Sequence, residues 1–194
     1  MIYIIRHGQT EGNKARILQG RSDLPLNETG RQQAGEARDG LAAAGIRFDK
    51  VYTSPLQRAV QTAQIVAAGV PQVVEERLIE IDYGPYEGMD FAHLTNEVIA
   101  FFHDTANAPA PAGMEALPDL IARTGAFLLE IRDEARDKNI LLSTHAIAMK
   151  GALEYLTPDS HGSYWSTFIP NCAVYTTRVL PDGSYAVPYR WEMQ

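Results

Sequence analysis

The sequence predicts a three-layer α/β/α sandwich with a mixed, mostly parallel central sheet and a small helical cap insert. Short apolar or β-branched runs alternate with longer amphipathic stretches, which is typical of strands connected by helices. The first run, Ile2 to Arg6, is almost entirely apolar, as expected for a strand that is buried on both faces. Near the C-terminus, Pro181-Asp182-Gly183 is a hairpin signal. The hairpin adds antiparallel strands and makes the predicted sheet mixed.

The first half of the chain is expected to contain three strands and two helices. A polar loop, Gly8 to Asn27, follows the first strand. The elements expected after it are a helix from Glu28 to Ala44 with Thr29 as a candidate cap, a strand from Val51 to Thr53, a helix from Leu56 to Ala68 that Ser54 and Pro55 introduce, a strand from Gln72 to Glu75, and a loop from Leu78 to Gly88.

The second half begins with two helical patterns, about Phe91 to Asp104 and Leu117 to Lys138, separated by a segment rich in Ala and Pro. We expect residues 83–116 to form the cap insert of a single domain that spans residues 1–194. The elements expected after it are a strand from Asn139 to Thr144, a helix from Ala146 to Leu156, and two hairpin strands, Ala173 to Leu180 and Ser184 to Arg190.

Composition limits the partners and the location of the protein. The 194 residues carry a net charge of −7, which argues against a general attraction to nucleic acid or to an anionic membrane. No run approaches the roughly 20 apolar residues of a membrane span, and the N-terminal run is too short for a signal peptide. The single cysteine, Cys172, cannot form an internal disulfide. We therefore expect a cytoplasmic protein with no nucleic-acid or membrane partner, and we leave a homodimer open.

Three polar clusters directly follow predicted strands. In an open α/β sheet, ligands bind at the carboxyl ends of parallel strands, so these clusters are expected to converge. Two histidines and two arginines together suit a phosphate, which guanidinium groups bind through paired, charge-assisted hydrogen bonds. Each residue alone is more often structural than functional. The clusters are Arg6-His7-Gly8 with Asn13, Ser54 with Arg58, and Thr144-His145.

The motif Ile4-Ile5-Arg6-His7-Gly8-Gln9-Thr10-Glu11-Gly12-Asn13 resembles the signature of the histidine phosphatase, or phosphoglycerate mutase-like, superfamily. The resemblance runs from residue 2 to about residue 180. Further matches are Leu26-Asn27-Glu28-Thr29-Gly30 with Gln33-Ala34, Ser54-Pro55-Leu56-Gln57-Arg58-Ala59 with Gln61-Thr62-Ala63, and Leu78-Ile79-Glu80 before Gly84 and Glu87-Gly88.

The resemblance implies a phosphohistidine mechanism without metal or cofactor, acting on a small phosphorylated metabolite. By motif, His7 is the nucleophile and Glu80 is the proton donor. Glu87 is the other carboxylate nearby, and the simpler interpretation of it is an ordinary loop residue. Arg6, Arg58 and a protonated His145 are the implied phosphate clamp. The substrate- and phosphate-binding residues implied by the same motifs are Gly8, Asn13, Gln19, Gly20 and Ala146.

General chemistry agrees with these roles. Neutral imidazole is a competent nucleophile when its other nitrogen donates to a fixed acceptor. Cations placed around the phosphorus stabilise the negative charge of the transition state. A carboxylic acid can protonate the leaving alkoxide and then act as the base for water.

Two positions depart from the family pattern. His145 is followed by Ala146 where the family usually has glycine, and we expect an ordinary backbone there. Glu115, in a segment that resembles the family's Gly-Glu-Ser motif, is a site candidate, but we expect it to cap the following helix.

Hydrolysis is our first hypothesis and mutase activity the second. True mutases carry an arginine after the acid that helps to bind the substrate carboxylate, whereas this chain has Ile81-Asp82. An apolar Ile81 cannot hold a carboxylate, and Asp82 would repel one if it faced the pocket. Two further alternatives are a phospho-ligand binding protein with little turnover and a metal hydrolase that uses His7, His145 and His161. His93 and His103 are expected on the surface.

Aromatic side chains of the cap could decide substrate specificity by forming the walls of an apolar pocket. They could also form the cap's own core, which we favour for Phe101 and Phe102. The set is Tyr83, Tyr86, Phe91, Phe101 and Phe102.

Overall fold

The computed structural model describes residues 1–105 and 107–192, and these residues form a mixed sheet of six strands. Its order is β3-β2-β4-β1-β5-β6. The pairs β3-β2, β2-β4 and β4-β1 are parallel, whereas β5 is antiparallel to both β1 and β6. The strands are β1 (Ile2–Arg6), β2 (Lys50–Thr53), β3 (Gln72–Val74), β4 (Ile140–Thr144), β5 (Val174–Thr177) and β6 (Tyr189–Trp191).

Seven α-helices and five short 3₁₀ turns lie among these strands in the described residues. The helices are α1 (Glu11–Ala15), α2 (Glu28–Ala43), α3 (Gln57–Val66), α4 (Asn96–His103), α5 (Leu117–Glu130), α6 (Ala146–Leu156) and α7 (Ser163–Ser166). The 3₁₀ turns are Glu76–Leu78, Gly84–Tyr86, Phe91–His93, Glu134–Arg136 and Pro158–Ser160. Within residues 1–105 and 107–192, none of the helices combines the length and the apolar content of a membrane span.

Helices cover both faces of the sheet, because successive side chains of β1 point to opposite sides. Tyr3 and Ile5 pack with residues of α2 and α3, such as Leu41 and Ala63. On the other face, the buried side chains are Ile2, Ile4, Leu142, Phe127 and Leu128 of α5, and Met149 and Leu153 of α6. The predicted three-layer α/β/α sandwich is therefore confirmed.

A third apolar cluster fills the region expected to be the cap. Ile81, Val98 and Phe101 are almost fully buried there, and they contact Leu120 of α5 and Ile147 of α6. Residues 83–116, called the cap segment below, thus pack directly on the main body near the first turn of α6. Their assignment as an insert within one domain of residues 1–194 stays a prediction.

Two predicted helices are shorter in the structure. The pattern from Phe91 to Asp104 divides into a 3₁₀ turn and α4, because Leu94 and Thr95 are extended. The pattern from Leu117 to Lys138 ends at Glu130. Beyond it, the N-terminal ammonium group donates to the carbonyls of Ala135 and Lys138, at 3.0 and 2.7 Å. That partner is distant in sequence and invisible to helical periodicity.

Two local signals were also misread. Asn27, not Thr29, caps α2, since the Asn27 side chain accepts from the backbone N–H of Gly30. The polar loop before it contains α1, where Thr10 and Asn13 exchange side-chain and backbone hydrogen bonds in a capping box. Thr10-x-x-Asn13 was the signal for this helix, with Asn in the position where Glu or Gln is usual.

The predicted C-terminal hairpin is confirmed, although its strands are short. β5 pairs with β6, while nearer the turn only a bridge between Val179 and Tyr185 remains. The Thr177 hydroxyl donates to the carbonyl of Ala186 at 2.6 Å, next to the backbone hydrogen bond from the Ala186 N–H to the carbonyl of Arg178.

Candidate active site

His7 and His145 lie side by side at the carboxyl ends of β1 and β4. The backbone N–H of His7 donates to the carbonyl of Thr144 at 2.9 Å, which fixes the register at this edge. The two imidazole centroids are 5.1 Å apart. Arg58, from the first turn of α3, is fully buried beside both rings. The three polar clusters that follow β1, β2 and β4 therefore meet, as the sequence predicted.

The tautomer of His7 is set by its neighbour. Nδ1 of His7 lies 2.7 Å from the carbonyl oxygen of Gly8, so Nδ1 carries the proton and Nε2 keeps its lone pair. The carbonyl is held in place because the N–H of Gly8 donates to the Thr62 hydroxyl at 3.0 Å. A Cβ on Gly8 would lie 2.3 Å from the carbonyl oxygen of Gly30, so only glycine allows this approach. Gly8 thus orients the proposed nucleophile.

His145 is neutral in this arrangement, contrary to the protonated form expected from the sequence. Arg58 Nε donates to Nδ1 of His145 at 3.0 Å, so Nδ1 must be an acceptor. The proton is then on Nε2, which lies 2.7 Å from the Ser54 hydroxyl oxygen. Burial, reinforced by the charge of Arg58, holds the pKa of His145 well below its usual range. Burial and the charges of Arg58 and Arg6 act on the pKa of His7 in the same direction.

Arg58 connects the two histidines to the loop that follows α1. Its Nε–H is shared with His7, since it also donates to Nε2 of His7 at 3.2 Å. Its two terminal nitrogens donate to the carbonyls of Ser22 and Gly20, each at 2.6 Å. Burial lowers the pKa of Arg58 to about 10, which leaves the guanidinium charged near neutral pH. Arg58 is therefore a fixed cation immediately behind the histidine pair.

Gly20 was expected to line the substrate side, but it faces away from the cavity. Its N–H donates to the Glu87 carboxylate at 2.9 Å, and its carbonyl holds Arg58. A Cβ on Gly20 would lie 2.5 Å from the carbonyl oxygen of Ile81. Gly20 therefore supports Arg58 from behind. Glu87 also accepts from the backbone of Ser22 at 3.1 Å, so this carboxylate organises the loop.

Two buried donors near His7 have no hydrogen-bond acceptor among the described residues. They are Nε of Arg6 and Nε2 of Gln19. The Thr10 hydroxyl donates to Oε1 of Gln19 at 2.8 Å, which fixes how the amide is turned. Both side chains line the cavity above His7. Because an unpaired buried donor is costly, these two N–H groups are suited to an oxyanion bound in the cavity.

Glu80 lies at the N-terminus of α6, within the same cavity. Its carboxylate accepts three backbone N–H groups: Ala148 at 2.8 Å, Ile81 at 2.9 Å and Ile147 at 3.1 Å. The residue is only 4% exposed. These donors fix the carboxylate near His7, where it can exchange a proton with a bound ester or with water.

The cavity has a volume of about 420 Å³, with His7, Arg6 and Glu80 among its walls. Asn13, Gln19 and Ala146 also line it, as expected, whereas Gly8, Gly20, Arg58 and His145 lie behind the walls. Ala146 has no left-handed backbone and begins α6 directly. The full lining is Arg6, His7, Asn13, Arg16, Ile17, Leu18, Gln19, Glu80, Tyr83, Phe91, Phe102, Ala146, Ile147, Lys150, Phe168, Ile169 and Asn171.

Sequence reasoning missed eight lining residues, which are Arg16, Ile17, Leu18, Ile147, Ile169, Lys150, Asn171 and Phe168. Lys150 lies one turn after Ala146 on α6, so helical periodicity could have identified it. Asn171 donates from Nδ2 to the carbonyl of His7 at 2.9 Å, a contact between positions 164 residues apart. Phe168 is 79% exposed at the mouth of the cavity. The last two come from the segment between α7 and β5, for which no local pattern predicted a role.

The cap aromatics divide between the two expected roles. Phe101 is buried in the cap cluster, as favoured, and Tyr86 is buried with its hydroxyl on Glu97. Phe102 is half-buried and lines the cavity, so its assignment to the core alone was wrong. Tyr83 and Phe91 line the cavity as well. The mouth is therefore largely apolar.

Other candidate residues lie outside the cavity walls. Glu115 does not cap α5; it pairs with Arg123 at 2.7 Å and accepts from the N–H of Asp82 at 3.1 Å. His93 and His103 are exposed. In residues 1–105 and 107–192, no three His, Cys, Asp or Glu side chains are grouped to hold a metal ion, so His7, His145 and His161 do not form such a group.

Comparison with known proteins agrees with this geometry. A family model, "Histidine phosphatase superfamily (branch 1)", matches residues 2–191. A broad-specificity phosphatase of Saccharomyces cerevisiae is 34% identical over 171 residues, covering 84% of this chain and 73% of the yeast protein. A 2,3-bisphosphoglycerate-dependent phosphoglycerate mutase of Brucella melitensis is 31% identical over 172 residues, covering 81% of this chain and 83% of the mutase.

Among solved structures, a mutant phosphoserine phosphatase of Entamoeba histolytica in complex with phosphoserine superposes with a TM-score of 0.86. It is 25% identical, and the match covers 100% of this chain and 97% of that one. The likeness therefore extends over the sheet, the cap segment and the site together. The chain is an enzyme of the histidine phosphatase superfamily, branch 1, and the resemblance predicted from its first motif is confirmed.

Proposed function

We propose that this enzyme hydrolyses small phosphomonoesters through a phosphohistidine formed on His7. The observation that carries the proposal is the orientation of His7, whose Nδ1 is bound to the Gly8 carbonyl so that Nε2 keeps its lone pair. The unpaired N–H groups of Arg6 and Gln19 support the binding of a phosphoryl group above this nitrogen. The lone Cys172, which cannot form an internal disulfide, supports a cytoplasmic location, and the cationic and N–H donors at the cavity support a small phosphorylated metabolite as substrate.

In the first step, the Nε2 lone pair of His7 attacks phosphorus and the ester P–O bond breaks. Arg6 and Gln19 donate to the phosphoryl oxygens, which carry the developing charge. Arg58 donates to the attacking nitrogen at 3.2 Å before the reaction, and the hydrogen bond is lost as the lone pair forms the bond to phosphorus, while the guanidinium charge stays beside it. Glu80 protonates the leaving alkoxide, so the products of this step are an alcohol and phosphohistidine.

In the second step, water attacks the phosphorus of phosphohistidine. Glu80, now a carboxylate, takes a proton from that water, and the P–N bond breaks to return the electron pair to Nε2 of His7. Inorganic phosphate leaves and Glu80 is again protonated. The hydrogen bond from His7 Nδ1 to the Gly8 carbonyl is kept throughout, so the imidazole does not need to reorient.

The residues after Glu80 favour hydrolysis over mutase activity. Ile81 is fully buried in the cap cluster and presents no group to a carboxylate. Asp82 forms an ion pair with Arg21 at 3.1 Å and lies outside the cavity walls. No residue at these two positions is placed to bind a phosphoglycerate carboxylate. Mutase activity remains the second candidate, because a Brucella mutase is a relative of 31% identity.

The test is steady-state release of inorganic phosphate from a panel of phosphomonoesters, with chelator present. We expect release, together with acid-labile phosphate on His7 after brief mixing with substrate. Rapid exchange between 3- and 2-phosphoglycerate without release would contradict hydrolysis. Binding without labelling of His7 would instead indicate a phospho-ligand binding protein, and loss of activity in chelator would indicate a metal hydrolase.

A further inference from the structure

Lys150 is a cation in the cavity that the phosphoryl-transfer steps do not use. Its side chain extends from α6 into the cavity wall, near Glu80 and Arg6. Among the described residues, its one hydrogen bond is to the carbonyl of Trp165, at 2.8 Å. An ammonium group carries three N–H donors, so further donors are left for a ligand. No carboxylate lies within ion-pair distance of it in residues 1–105 and 107–192.

The environment of this ammonium group is unfavourable without a ligand. Burial is the main cause that lowers the pKa of Lys150 to about 8; the nearby Glu80 carboxylate opposes this shift and the Arg6 cation adds to it. A partly desolvated, unpaired charge is costly, and a bound anion would offset the cost. Two charged groups therefore face Lys150. They are the Glu80 carboxylate, which the backbone of α6 already binds, and the Arg6 guanidinium.

The position of Lys150 places it on the side of the leaving group. The N–H groups of Ile147 and Ala148 hold Glu80, which protonates the ester oxygen in the proposed reaction. Lys150 follows these residues by less than one turn of α6, a rise of roughly 3 to 5 Å. An anionic group one or two carbon atoms from the ester oxygen would therefore come within reach of Nζ.

We propose that Lys150 binds a carboxylate on the leaving group, so that the preferred substrates are phosphomonoesters of small hydroxy acids. The inference rests on the proposed phosphatase function. One ammonium group matches the single negative charge of a carboxylate, whereas the two charges of a second phosphate dianion would exceed it. Of the two other lining cations, Arg6 is assigned to the phosphoryl group, and Arg16 is exposed at the mouth and screened by solvent. The recognition uses a residue of α6 and does not require an arginine at the position of Ile81.

The test compares two phosphomonoesters that differ only in the carboxylate, 2-phosphoglycolate and ethyl phosphate. We expect kcat/KM of the wild type to favour 2-phosphoglycolate by about 10- to 100-fold, as for a charge-assisted hydrogen bond. Lys150→Met should remove most of that ratio, and Lys150→Arg should restore much of it. Lys14→Met removes an exposed charge outside the cavity and is the matched control, with the wild-type ratio expected.

A purely structural role for Lys150, through its bond to Trp165, predicts something else. Lys150→Met would then lower kcat/KM for both esters equally and leave their ratio unchanged, which would overturn the inference. The pH gives a second readout: the wild-type ratio should fall as pH rises through about 8, because Lys150 loses its proton. A ratio that stays constant from about pH 6 to about pH 9.5 would likewise count against it.

Failure of the inference and failure of the proposed function give different results. If the wild type hydrolyses both esters at similar rates, the phosphatase function stands and the role of Lys150 is wrong. If it hydrolyses neither and His7 is not labelled, the phosphatase function is wrong. The inference is then decided by titration calorimetry with 2-phosphoglycolate and ethyl phosphate on the wild type and Lys150→Met. Equal affinities for the two ligands in the wild type would overturn it.

Discussion

The base of the cavity and its mouth are built in opposite ways. At the base, His7, His145 and Arg58 are almost fully buried and bonded to one another and to the backbone. At the mouth, Phe91 is 44% and Phe168 79% exposed, and neither belongs to a strand of the sheet. The base comes from strand ends in the centre of the sheet, while the mouth comes from the cap segment and the chain after α7.

This difference has a physical reason. Buried charges and imidazoles require every partner in place, so a change at the base leaves a polar group unpaired at a high cost. Exposed apolar side chains at the mouth have few fixed partners and can be exchanged at little cost in stability. The base is therefore suited to one fixed reaction, the transfer of the phosphoryl group. The mouth is suited to selecting the leaving group of the ester.

The largest effect is expected at the base, from His7→Asn. Without the Nε2 nucleophile, phosphohistidine cannot form, and kcat should fall by about 10⁴-fold or more. The measurement is steady-state phosphate release, together with acid-labile labelling. Near-wild-type turnover in a variant that keeps its circular dichroism spectrum would show that His7 is not the nucleophile.

Glu80→Gln should give the next largest effect and should depend on the leaving group. General acid catalysis contributes about 10²- to 10⁴-fold, so single-turnover labelling of His7 by ethyl phosphate should fall by that amount. Labelling by 4-nitrophenyl phosphate should fall much less, because nitrophenolate leaves without a proton.

Glu87→Gln is the matched control for this experiment. Glu87 holds the loop at Gly20 and Ser22 and does not line the cavity, so any loss should be the same for both esters. If Glu87→Gln gave the dependence on leaving group and Glu80→Gln did not, the two carboxylates would have to exchange roles.

The buried histidines should make stability fall in mild acid. The pKa values of His7 and His145 are depressed in the folded state, chiefly by burial. The unfolded chain binds protons at about pH 6.5 while the folded one does not. The stability contribution is thus fully present above about pH 6.5 and is lost as pH falls, at up to about 1.4 kcal/mol per pH unit for each histidine.

Urea unfolding across this pH window measures the slope of the free energy of unfolding. The slope should be smaller in His7→Asn than in the wild type, with the exposed His103→Asn as the matched control. An identical slope in wild type and His7→Asn would mean that His7 takes up its proton without unfolding.

The smallest effects are expected at the mouth. Phe168→Ala should change the free energy of unfolding by no more than about 0.5 kcal/mol, because the side chain is mostly exposed. Phe127→Ala, in the sheet core, should lower it by about 3 to 5 kcal/mol. KM for 1-naphthyl phosphate should rise about three- to tenfold in Phe168→Ala, more than KM for ethyl phosphate.

Equal KM changes for 1-naphthyl and ethyl phosphate would show that Phe168 does not contact the leaving group. A large loss of stability in Phe168→Ala would remove the contrast between base and mouth altogether.

The sequence alone determined the elements and the residues of the base. Apolar runs such as Ile2–Arg6 and the periodicity of α6 are local signals, and the predicted bounds of α6, Ala146 to Leu156, agree with the structure. Because parallel strands bring their carboxyl ends to one edge, the convergence of His7, Arg58 and His145 also followed from their places in the chain.

Only the tertiary structure decided the protonation states of these groups and which residues line the cavity around them. The neutral form of His145 depends on Arg58, 87 residues away, and on Ser54, 91 residues away. The unpaired donors of Arg6 and Gln19, and the turn of Gly20 away from the cavity, depend on contacts between distant segments. A local pattern specifies which face of an element is apolar, but protonation and orientation depend on which distant groups are packed against it.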